Sequence, residues 1–96
     1  MKKRRFESVW NAIEGDAREA ANLRARSDLM IALQERLRAN KLTQAQAAKL
    51  LGVTQPRVSD LMRGKIDLFS LETLIDMLAR AGAHVKLSVR FNKRAA

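Results

Sequence analysis

Apolar positions change their period along the chain. From residue 6 to residue 82 they recur at three- and four-residue spacing, and from residue 84 to residue 91 they alternate. The first pattern predicts amphipathic helices and the second a half-buried strand. Phe6, Val9, Trp10 and Ile13 predict a short amphipathic helix that Gly15 ends. Asp16 followed by Glu19 is a capping-box arrangement, so a new helix is expected from about residue 17. Ala20, Leu23, Met30, Leu33 and Leu37 lie along one stripe of that helix. Ser27 interrupts the stripe and can cap a separate helix, so residues 17–39 read as either one helix or two. Asn40 is the expected left-handed stop.

Three shorter helices follow. Thr43 and Gln46 form a second capping box, which predicts a helix over 44–51. Gly52 supplies the positive φ of a tight turn. Thr54 caps a helix over 55–63, with Pro56 in its first turn, where the missing N–H costs nothing. Val53 and Val58 are placed to form a hydrophobic staple, and Gly64 ends the helix. Ser70 caps a further helix, with Leu71, Leu74, Ile75 and Leu78 at the spacing of a buried stripe. Gly82 terminates it, and Arg80 sits favourably near the negative end of its dipole.

The alternating segment places Val85, Leu87, Val89 and Phe91 on one face and polar residues, His84 among them, on the other. A single strand leaves its N–H and C=O groups unpaired. The same strand from a second copy, paired antiparallel across a two-fold axis, satisfies both. A homodimer through residues 84–91 is therefore expected. Pairing with a strand at Phe6 to Trp10 of the same chain is the alternative.

Two short helices joined by Gly52-Val53-Thr54 form a candidate helix-turn-helix, the alternative being a helical hairpin used for packing. Ala48 is the small residue where the helices cross, Gly52 makes the turn, and Val58 and Leu61 face inward. Such a motif sets its second helix in the major groove with the N-terminal end toward base edges. Gln55 can bond adenine bidentately, and Arg57 can bond guanine or a phosphate. Ser59 can bond a base or a phosphate, while Pro56 offers apolar contact to a thymine methyl. Gln44 is placed to anchor a phosphate with its own backbone N–H. Thr54, Asp60, Arg63 and Lys65 complete the candidate DNA-binding set. Asp60 either accepts from cytosine N4 or pairs with Arg57 or Arg63, and the pairing is favoured.

Composition narrows the choice of function. A chain of 96 residues fits one domain. Its boundaries are read as a basic arm and short amphipathic segment over 1–15, a DNA-binding domain over 16–82 with its motif at 43–64, a dimerisation strand over 83–92, and a basic tail over 93–96. There is no cysteine and one histidine, so disulfides, thiolate chemistry and a multi-histidine metal site are excluded. No metal or cofactor is implied. Asp60 and Asp67 have better uses on the motif surface than in catalysis, so the chain reads as no enzyme. No apolar run approaches a membrane span, and the residues after Lys2-Lys3-Arg4-Arg5 lack the apolar segment of a signal peptide. The net charge of +9 points to a polyanion. Lys2 to Arg5 contribute four of those charges and Lys93 and Arg94 two, which leaves +3 for residues 6–92. The tails are either arms on phosphates or solvated ends.

Leu42 to Ala48 and Gly52 to Leu61 resemble the phage-repressor-like (Cro/CI, XRE) helix-turn-helix family. Arg63 to Glu72 and the closing segment His84 to Val89 are similar to its HigA-type antitoxins. The resemblance covers about residues 6–92. It implies a mainly α, lambda-repressor-like bundle of about five helices, with one C-terminal β-strand pairing across a dimer. It also implies a cytoplasmic bacterial or phage autorepressor that binds a palindromic operator and a RelE/HigB-like mRNA-cleaving toxin. Phe6, Val9, Trp10 and Ile13 are the candidate toxin contacts, unless that segment simply covers the core. A stand-alone phage-type regulator, or an interaction module that no longer reads DNA, are the alternatives.

Overall fold

The computed structural model describes residues 4–91, with side chains from residue 17 onward. The elements are α1 (Arg4–Ala39), α2 (Gln44–Leu51), α3 (Gln55–Met62), a 3₁₀ turn (Ile66–Leu68) and α4 (Leu71–Arg80). Four α-helices thus stand where about five were expected. The difference lies in α1, which runs without a break through Gly15, Asp16 and Ser27. An interior glycine costs only about 1 kcal/mol relative to alanine. Once a helix is nucleated, each further residue adds a hydrogen bond, so one glycine does not stop it.

Among the residues of α1 with described side chains, those docked lie in its C-terminal part. Met30, Leu33 and Leu37 are buried, whereas Ala20 and Leu23 of the expected stripe are exposed. The docked part packs chiefly against α4. Its polar side chains complete the ends of other elements. Gln34 Nε2 donates to the Leu61 carbonyl at 2.8 Å. Arg36 Nε donates to the Ala81 carbonyl at 3.2 Å, and Arg26 Nη1 to the Ile66 carbonyl at 3.2 Å. The Leu61 and Ala81 carbonyls lie at the C-terminal ends of α3 and α4, where intrahelical partners run out.

The end of α1 is a Schellman motif. Leu42 N–H reaches the Leu37 carbonyl and Lys41 N–H reaches the Arg38 carbonyl. The left-handed residue is Lys41, at φ 53°, not Asn40. Leu42 lies half-buried against the core beside Leu37, and that apolar contact fixes the register of the stop.

The core is apolar throughout the described residues. It joins Met30, Leu33 and Leu37 of α1 to Ala47, Ala48 and Leu51 of α2, Val58 and Leu61 of α3, Phe69, and Leu74, Met77, Leu78 and Ala81. Full burial of a side chain such as Leu33, Leu61 or Leu74 contributes roughly 1.5–3 kcal/mol. In α4 the cap at Ser70 forms as expected, and Leu71 and Ile75 are half-buried beside the buried Leu74 and Leu78.

Residues 83–91 form no strand within the protomer. Val85 is half-buried against the core, but Leu87, Val89 and Phe91 are 77–87% exposed. A strand is defined by its ladder partner, and none is supplied among the described residues of one chain. Pairing with residues 6–10 is ruled out, because that segment is helical.

Candidate nucleic-acid interface

The turn between α2 and α3 is built from local chemistry. Thr43 Oγ1 accepts from Gln46 N–H at 3.1 Å, and Gln46 Oε1 accepts from Thr43 N–H at 2.9 Å. Both bonds of the capping box are present, so α2 starts where the sequence places it. Gly52 adopts φ 70°, and its N–H returns to the Ala48 carbonyl. A Cβ added at Gly52 would stand 2.9 Å from the Arg80 guanidinium. The positive φ calls for glycine at this position, while the Arg80 guanidinium, the end of a flexible exposed side chain, can move aside.

Helix α3 starts at Thr54, whose Oγ1 accepts from Arg57 N–H at 3.3 Å. Pro56 occupies its first turn. Val58 and Leu61 are buried and Met62 half-buried, as the helical wheel requires. This burial fixes the rotation of α3 and leaves Thr54, Gln55 and Pro56 exposed at its N-terminal end. Ser59 and Asp60 are half-buried, and Arg63 and Lys65 are exposed. Gln44 is exposed and lines a shallow pocket of about 200 Å³ with Val58 and Met62, which sets the start of α2 beside α3. Every residue of the candidate set thus has some solvent access.

Two side-chain partnerships differ from expectation. Asp60 meets neither Arg57 nor Arg63; its Oδ1 lies 3.8 Å from Lys65 Nζ. The turn at Gly64, φ 74°, folds Lys65 back toward α3, a proximity that helical spacing does not encode. At this exposure the pair is worth about 0–1 kcal/mol. Arg57 lies over the Phe69 ring, with its guanidinium carbon 4.2 Å from the centroid. Phe69 is twelve residues away in a segment without periodicity, so spacing gave no sign of the contact.

The helix ends also differ in charge. Neither α2 nor α3 has an acidic residue in its first turn, whereas α4 has Glu72. Their positive ends are free to meet an anion. No cluster of metal-ligating side chains occurs among the described residues. No described helix is long and apolar enough to cross a membrane.

Two capped helices, a glycine turn and a solvent-facing second helix define a helix-turn-helix domain. Residues 14–90 match the family described as "Helix-turn-helix domain". A solved structure described as "Putative XRE Family Transcriptional Regulator" is similar at TM-score 0.73 and 32% identity, covering 81% of this chain and 88% of that one. The chain belongs to this helix-turn-helix family, in its XRE-type form. No curated protein matches it.

Proposed function

We propose that the protein is a sequence-specific DNA-binding transcriptional repressor that acts as a homodimer. The observation that carries this is the exposed start of α3, where Thr54, Gln55 and Pro56 project from an uncompensated positive helix end. In the major groove, Gln55 pairs with adenine, Arg57 with guanine or a phosphate, and Pro56 with a thymine methyl. Ser59 takes a base or a phosphate. Gln44 and its N–H anchor a phosphate at the start of α2, and Arg63 and Lys65 extend the backbone contacts. The similarity to a structure described as "Putative XRE Family Transcriptional Regulator" supports the assignment.

The dimer is supported by the exposed Leu87, Val89 and Phe91. Antiparallel pairing of residues 84–91 across a two-fold axis would bury part of that surface and set two copies of α3 about 34 Å apart. Light scattering tests it. A dimer at micromolar concentration that becomes a monomer when residues 84–96 are removed is expected; an unchanged mass overturns it.

Within this function the resemblance to HigA-type antitoxins supports autorepression of an operon shared with a RelE/HigB-like toxin. The candidate toxin contacts Phe6, Val9, Trp10 and Ile13 have side chains outside the described residues. Co-purification with the product of an adjacent small reading frame tests the pairing, and its loss on replacing Trp10 and Ile13 with Asp tests the surface. The DNA-binding role itself is tested by selecting duplexes from a random pool. Enrichment of a palindrome is expected, and no enrichment overturns it.

A further inference from the structure

We infer that Phe69 is a positioning residue for DNA readout, holding the Arg57 guanidinium in place at the start of α3. This rests on the DNA-binding role proposed above. The guanidinium carbon stands 4.2 Å from the ring centroid, well inside the range of a cation–π contact. The platform is rigid. Phe69 is 1% exposed and is among the largest fully buried side chains. Its N–H is bonded to the Ile66 carbonyl, and the next residue, Ser70, caps α4. Arg57 is half-buried over it, and among the described residues its side chain makes no hydrogen bond or ion pair.

A cation–π contact uses no hydrogen-bond acceptor, so the N–H donors of the guanidinium are left unspent. Those donors are the ones that meet guanine O6 and N7, or a phosphate, in bidentate fashion. An arginine free in solvent gives up rotamer freedom when it makes such a pair. One already laid on a buried ring has given up much of it beforehand. A lysine has no planar face or fork to be held in this way. The chain therefore sets the direction of a DNA contact from a residue that is itself nearly inaccessible to DNA.

The test replaces Phe69 with pentafluorophenylalanine, which keeps the shape of the ring and inverts the charge of its face. Binding is read by fluorescence anisotropy with a duplex selected by the unmodified protein. Affinity is expected to fall about two- to fivefold, the range of a solvent-accessible cation–π contact. The loss should be concentrated at the base pair or phosphate sensitive to Arg57→Ala, and it should vanish in the Arg57→Ala background. Phe69→Leu serves as a second variant that also removes the ring face, with its folded fraction checked by circular dichroism. No loss on fluorination, or an equal loss in the Arg57→Ala background, overturns the role of Phe69. If Arg57→Ala is neutral while Gln55→Ala weakens binding, Arg57 is a lid on the core; the role of Phe69 falls and DNA binding stands. If both are neutral, DNA binding through α3 falls as well.

Discussion

Helices α3 and α4 both begin at a hydroxyl cap, Thr54 and Ser70, whose side chain accepts from the N–H three residues on. They diverge from there. Helix α4 has Glu72 in its first turn and Arg80 in its last, so its own side chains complement both ends of its dipole. It buries Leu74, Met77 and Leu78. Helix α3 has Gln-Pro-Arg where α4 has its acid, and no basic residue in its last turn. It buries only Val58 and Leu61. The chain completes α4 by itself. It leaves the positive end of α3 open, a local sacrifice of stability that makes sense where a polyanion supplies the missing charge.

The difference can be broken from the α4 side with the largest effect. Leu74→Ala removes a fully buried side chain and should destabilise the fold by about 2–5 kcal/mol in urea denaturation. Operator affinity should fall only as far as the folded fraction falls. The two caps give a matched pair of smaller effects. Thr54→Ala and Ser70→Ala should each cost about 1 kcal/mol of stability. Only Thr54→Ala should also weaken binding to a selected duplex, because only that cap shapes the DNA-facing end. Equal binding losses would erase the distinction between the helices.

Gln55→Glu sharpens the contrast, since stability and binding should move in opposite directions. A carboxylate at the start of α3 should stabilise the fold by about 0.3–1 kcal/mol in thermal melts at low salt. The same charge faces phosphates and loses the adenine pair, so binding should weaken by about 1–3 kcal/mol. The smallest effect lies outside both helices. Lys41→Gly relieves a left-handed residue and should stabilise the fold by up to about 1 kcal/mol, with binding unchanged.

The helix-turn-helix was legible in the sequence because its determinants are local. A capping box, a glycine turn and a hydroxyl cap followed by proline all act within four residues, and all form where the spacing places them. Helix α1 was misread for the same reason in reverse. Asp16 with Glu19, and Ser27, carry cap chemistry that acts only if the preceding chain leaves the helix, and local sequence does not state whether it does. The stop at Lys41 depends on Leu42 packing against Leu37, so it fell one residue beyond the best left-handed candidate. The side-chain partners in the candidate site were the least legible. Asp60 meets Lys65 only after the turn at Gly64, and Arg57 meets Phe69 only after the chain has passed the 3₁₀ turn. The C-terminal alternation was plain, but no ladder partner occurs among the described residues and no strand forms there.

The central claim is that the exposed start of α3 reads DNA. Gln55→Ala tests it most directly, because Gln55 is exposed and lies outside the core. Fluorescence anisotropy with a selected duplex, at fixed salt, should show an affinity loss of about five- to hundredfold with relaxed preference at one base pair of each half-site. The melting temperature should stay put. Unchanged affinity and unchanged preference would contradict the claim.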